Sequence, residues 1–66
     1  MTTIDRVWAY ILGYIAANGY PPTRLEISDA VGLSGKSHAS YYLSKLKGQG
    51  KLTWKPSSPR SIKILE

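Results

Sequence analysis

Thr23-Arg24-Leu25-Glu26-Ile27-Ser28-Asp29-Ala30-Val31-Gly32-Leu33-Ser34-Gly35 contains a helix start, a helix stop and a tight link in immediate succession. Thr23 and Glu26 have the spacing of a capping box, in which the Thr hydroxyl accepts from the amide three residues on and the Glu carboxylate reaches back to the Thr amide. Tyr20-Pro21-Pro22 cannot continue a helix from upstream, so the new helix begins here. Ile27, Ala30 and Val31 give it a short apolar face, and Gly32 ends it after about two turns. Gly32-Leu33-Ser34-Gly35 then leads into a further helix over roughly residues 36–47. Two short helices joined by a Gly-containing turn form a helix-turn-helix.

The helix after the turn is two-sided. At 100° per residue Ala39, Tyr42, Leu43 and Leu46 form one stripe, which predicts a core face. Ser37, Ser40, Tyr41 and Ser44 form a second stripe on roughly the opposite side. A merely solvated helix carries Glu, Lys and Gln on such a face, because they favour helix and solubility. Small hydroxyls instead allow close approach of the helix axis to a partner and can exchange hydrogen bonds with base edges and phosphates. No acid lies on this helix, and Lys36 stands at its start.

Upstream, Ile4, Val7, Trp8, Ile11 and Ile15 recur at helical steps, with Thr2 or Thr3 as the cap and Asn18-Gly19 as the stop. Gly13 lies inside that helix, where a close contact with another helix would explain it. Tyr10 and Tyr14 border its core stripe. Downstream, Gly48 and Gly50 end the third helix. Leu52-Thr53-Trp54-Lys55 and Ser61-Ile62-Lys63-Ile64 alternate apolar and polar, as strands do. Pro56-Ser57-Ser58-Pro59-Arg60 turns between them, with Lys55 and Arg60 flanking the tip and Trp54 at its base. The fold expected is α+β: a winged helix-turn-helix of three helices followed by a two-stranded antiparallel β-hairpin wing, with residues 1–66 as one domain.

Charge points to the partner. Nine Lys and Arg against four Asp and Glu give a net charge of +5. Asp5, Glu26 and Asp29 precede residue 30, whereas Lys36, Lys45, Lys47, Lys51, Lys55, Arg60 and Lys63 follow with no acid before Glu66. A cationic half of this kind suits a polyanion. The sequence has no Cys and a single His, His38. That rules out a thiolate metal site and leaves no set of zinc ligands. Ser37-His38 adjacency has no acid or oxyanion partner, and no paired carboxylates exist, so no enzyme, cofactor or small-molecule substrate is expected. No apolar run approaches the roughly 20 residues that span a bilayer, and no signal-peptide pattern opens the chain. A cytoplasmic protein without a membrane partner is expected.

Gly19-Tyr20-Pro21-Pro22-Thr23-Arg24-Leu25-Glu26-Ile27 resembles the start of the second helix in the DNA-binding domain of LexA-type repressors. Gly32-Leu33, Ala39, Leu43, Leu46 and Gly50 keep that family's spacing without gaps, and Arg60, Ile62 and Ile64-Leu65 fit its hairpin. The resemblance runs from the first helix to Leu65. It implies that the start of the third helix reads bases, through Ser37, His38, Ser40 and Tyr41, while the wing touches the backbone. The family tends to carry Asn and Glu around those positions and this chain does not, so the resemblance does not carry over an operator sequence. LexA-type repressors continue into a self-cleaving Ser-Lys protease domain that also dimerises. With its end at Glu66 this sequence reads as a stand-alone domain without that activity. Z-DNA-binding domains fit less well: they need Asn and Tyr where Ser40 and Ser44 stand, and a Pro-Pro-x-Trp wing.

The expected function is sequence-specific binding of double-stranded DNA by a transcriptional regulator, a repressor; one domain binds weakly, so useful specificity needs two copies, a homodimer on paired half-sites, or a partner. The expected contact set is Arg24, Lys36, Ser37, His38, Ser40, Tyr41, Ser44, Lys55, Ser57, Ser58 and Arg60. For Arg24 and His38, simple exposure is equally open. The alternative is a winged-helix protein-interaction module, such as an inhibitor or anti-repressor, using Tyr10, Tyr14, Tyr20 and Tyr41.

Overall fold

A computed structural model of the protein describes residues 2–55 and 60–65. Three helices, α1 (Thr3–Asn18), α2 (Arg24–Val31) and α3 (Lys36–Gly48), precede the strands β1 (Leu52–Thr53) and β2 (Lys63–Ile64). The strands pair antiparallel, Leu52 opposite Ile64 and Thr53 opposite Lys63. This is the winged helix-turn-helix order.

The caps fall where side-chain chemistry puts them. Thr2, not Thr3, caps α1: its hydroxyl accepts from the Asp5 amide at 3.3 Å, and the Asp5 carboxylate accepts from the Thr2 amide at 3.4 Å. At α2 the Glu26 amide donates to Thr23 Oγ1 at 3.2 Å and the Thr23 amide to Glu26 Oε1 at 2.8 Å. Gly19 and Gly32 close the first two helices in the left-handed region, at φ 79° and 85°, where a Cβ would be strained.

Every element contributes to one core. Val7 and Ile11 come from α1, Ile27 and Val31 from α2, Ala39, Leu43 and Leu46 from α3, and Leu52 and Ile62 from the hairpin. Trp8, Tyr42, Trp54 and Ile64 pack around it, partly buried. One expected core position moves. Ala30 is exposed and Ser28 is buried at 2% exposure. The reason is the turn: the Ser28 carbonyl accepts from the Gly32 and Leu33 amides at 2.9 and 2.8 Å, and its hydroxyl donates to the Leu33 carbonyl at 3.1 Å. Ser28 is thus the inner anchor of the link between α2 and α3, and a buried hydroxyl is tolerated because it is bonded.

The ladder is shorter than the alternation of residues suggested. Beyond Thr53 the Ser61 hydroxyl takes over, accepting from the Lys55 amide and donating to the Lys55 carbonyl, both at 3.0 Å. The close helix contact expected at Gly13 is not present among the described residues: Gly13 is exposed, and a methyl group at its Cα would have open space for 4 Å around it. Gly13→Ala is therefore expected to stabilise the domain by roughly 0.5–1 kcal/mol, through helix propensity alone. Urea unfolding followed by circular dichroism checks this. Among the described residues no helix is long and apolar enough to cross a membrane.

Candidate nucleic-acid interface

With Ala39, Leu43 and Leu46 turned inward, the opposite side of α3 is left to solvent. Lys36, Ser37, Tyr41 and Ser44 are exposed, and His38 and Ser40 are half-buried. Tyr41 is 54% exposed despite its large aromatic ring. Its ring stands edge-on to Tyr42 at 5.1 Å, and Lys45 Nζ lies 5.0 Å from its centroid. One turn nearer the start of α3, the His38 ring lies against Tyr42 at 5.3 Å. Its Nδ1 is 3.3 Å from the Ser34 amide nitrogen and 3.2 Å from the Ser34 hydroxyl. The serine stripe and a clustered His-Tyr-Tyr-Lys edge therefore share one helix.

Arg24, half-buried, has its guanidinium carbon 5.2 Å from the Trp54 ring centroid, and Lys47 Nζ lies 4.8 Å from the same ring. Trp54 thus joins the base of the wing to the start of α2 and the end of α3. Lys51 lies over Trp8 in the same manner, at 5.4 Å. These cation–aromatic pairs are absent from the sequence reading, because Arg24 and Trp54 belong to elements whose packing no local pattern reports. Lys55 is exposed at the start of the wing loop. Ser57 and Ser58 lie outside the described residues.

Arg60 occupies a different setting from the other expected contacts. Its guanidinium forks onto Glu26, with Nη1 to Oε1 at 2.9 Å and Nη2 to Oε2 at 3.1 Å. Nη1 also donates to the Pro21 carbonyl at 3.0 Å and to the Tyr14 hydroxyl at 3.2 Å. The Tyr20 ring lies 4.9 Å from the guanidinium carbon. Arg60 thereby ties the returning limb of the wing to α1, to the Pro-Pro segment and to the first turn of α2. Glu26 is the shared centre: it closes the α2 capping box, takes the Arg60 fork and accepts from the Tyr14 hydroxyl at 3.2 Å.

These bonds hold the Glu26 carboxyl down to about 2 from an ordinary 4.5, chiefly through Arg60 and next through the Thr23 amide. Arg60 is correspondingly pushed up by Glu26. A depressed folded-state value means that the stabilisation is complete above about pH 4.5 and is lost as pH falls toward 2. Glu26→Gln is therefore expected to flatten the fall in stability across that window, while other carboxylates still titrate in both proteins. Urea midpoints measured at pH 6, 4 and 3 check this.

Tyr10, Tyr14 and Tyr20 form a row, each neighbouring pair 5.8 Å between centroids. Tyr41 is grouped with Tyr42 and Lys45 instead. The four tyrosines considered for a protein interface thus fall into two groups, and no ring contact joins them among the described residues. Burial raises the Tyr14 and Tyr10 hydroxyls above their ordinary value, with Glu26 adding to the effect.

The sequence is similar to those of known proteins. The LexA DNA binding domain profile matches residues 4–61. A LexA repressor of Ligilactobacillus salivarius is 46% identical over 55 residues, covering 83% of this chain and 27% of its own length. That of Acetivibrio thermocellus is 45% identical over 61 residues, covering 92% of this chain and 29% of its own. That of Carboxydothermus hydrogenoformans is 37% identical over 60 residues, with 91% and 29% covered. The chain spans less than a third of the length of these relatives. A three-helix core, a short hairpin and a profile match over nearly all of the sequence lead to one assignment: the chain belongs to the LexA DNA-binding domain family.

Proposed function

We propose that residues 1–66 act as one sequence-specific, double-stranded-DNA-binding domain of a transcriptional repressor, working in the cytoplasm and without catalytic activity of its own. The N-terminal half of α3 enters the major groove, where Ser37, His38, Ser40, Tyr41 and Ser44 meet base edges and adjacent phosphates. Lys36, Arg24, and Lys55 with Ser57 and Ser58 hold the backbone. Arg60 enters this scheme as the brace that sets the wing, on account of its fork with Glu26. Two copies on paired half-sites supply the useful affinity, since one domain of this size offers a small footprint.

The observation that carries the reading is the outward side of α3, with small hydroxyls, an exposed Tyr and no acid, beside a basic run. Selection of bound duplexes from a random pool tests it. Enrichment of a defined sequence is expected. Neutralising about four to six phosphates gives a log–log salt slope of roughly −4 to −5. Absence of enrichment, or affinity indifferent to salt, would overturn the reading in favour of a protein-docking module.

A further inference from the structure

His38 is held in a way that fixes which of its ring nitrogens carries the proton. The Ser34 backbone amide lies 3.3 Å from Nδ1, and an amide can only donate. The Ser34 hydroxyl, 3.2 Å from the same nitrogen, can act as donor or acceptor and so accommodates either state. Nδ1 is therefore the acceptor, which places the single proton of the neutral ring on Nε2. Tyr42, one turn further along α3, lies against the ring at 5.3 Å with the planes 30° apart, limiting its rotation. Ser34 is the only hydrogen-bond partner of the His38 ring among the described residues. The side chain is half-buried in the first turn of α3, beside exposed Ser37 and Lys36.

We propose that Ser34 and Tyr42 pre-set His38 as an Nε2–H donor, and that this donor selects a guanine edge in the operator. The inference rests on the DNA-binding reading above. In the major groove guanine presents two acceptors, N7 and O6, and no donor. Adenine sets a donor beside its single acceptor N7, thymine sets a methyl group beside its single acceptor O4, and cytosine offers only its amino donor. A fixed donor on a rigid ring therefore favours guanine and rejects cytosine, without the entropy cost that a long flexible side chain would add. Backbone contacts elsewhere would be insensitive to this choice.

Two measurements on the full chain test the proposal. Nitrogen-15 NMR of the free protein, recorded where the ring is neutral, is expected to show Nε2 protonated and Nδ1 unprotonated. Ser34→Ala keeps the amide and is expected to leave that pattern in place. Observation of the Nδ1–H form would overturn the proposal without touching the DNA-binding reading. The second arm uses the duplex enriched by selection, with each guanine replaced in turn by 7-deazaguanine, which lacks N7, and by 6-thioguanine, whose sulfur is a poor substitute for O6. One such replacement is expected to weaken the parent protein roughly fivefold to tenfold and to leave His38→Ala unaffected. His38→Gln, whose amide nitrogen falls near the Nε2 position, is expected to recover part of the loss. His38→Asn, whose amide falls near Nδ1, is not. Equal sensitivity of the parent and His38→Ala to every replacement would overturn the donor role while DNA binding stands. Failure to enrich any duplex would remove both readings.

Discussion

Leu43→Ala is expected to leave the domain close to its unfolding midpoint at room temperature. Leu43 has 0% exposure and belongs to the core cluster that draws on all three helices and the hairpin. Truncating such a side chain removes its transfer free energy and leaves a cavity, a cost of about 2–5 kcal/mol. A chain of 66 residues has only a few kcal/mol of net stability to lose. No disulfide can offset the loss, because the sequence has no Cys. Urea titration by circular dichroism should show the midpoint moving strongly toward zero denaturant, with little change in slope. Tyr41→Ala, two residues away on the same helix and 54% exposed, should shift the same midpoint by well under about 1 kcal/mol. If the two variants unfold alike, the division of α3 into an inner and an outer side is wrong.

That division was legible in the sequence because helical periodicity is a local property. Ala39, Leu43 and Leu46 are spaced to share a face whatever lies against them. The caps at Thr23 and the stops at Gly19 and Gly32 were legible for the same reason: each depends on residues within four positions. Ala30 and Ser28 show where such reasoning stops. On a helix of only eight residues, the identity of the inward face depends on the turn that follows, and the hydroxyl of Ser28 is buried because that turn needs its bonds. The hairpin was legible as an alternation of residues, but its ladder is cut short by one serine side chain. Arg60 was the least accessible. Beside a Pro-Ser-Ser-Pro loop it reads as a free cation, and its partner Glu26 lies 34 positions away. One signal did exist. A capping box occupies one carboxylate oxygen of Glu26 and leaves the other seeking a donor, in a chain with few acids and many cations.

Arg60→Ala is expected to weaken binding to every duplex, specific or not, by roughly tenfold, the cost of re-ordering a loosened wing, while leaving the salt slope unchanged because Lys55 still reaches its phosphate. Lys55→Ala is expected to reduce the magnitude of that slope by about 0.9, as removal of a single phosphate contact should. Both variants lose one positive charge, so long-range attraction changes equally and the slopes separate a direct contact from a brace. The physical basis is the fork: two guanidinium nitrogens hold both oxygens of Glu26, and Nη1 also reaches Pro21 and Tyr14. Without it, the returning limb of the wing loses its side-chain attachment to the first turn of α2. Lys cannot reproduce a planar two-point contact, so Arg60→Lys should resemble Arg60→Ala although it keeps the charge. Fluorescence titrations of a labelled duplex at four salt concentrations supply both affinity and slope. A slope reduced by about 0.9 in Arg60→Ala and restored in Arg60→Lys would make Arg60 a phosphate ligand, and the fork with Glu26 a resting state released on DNA.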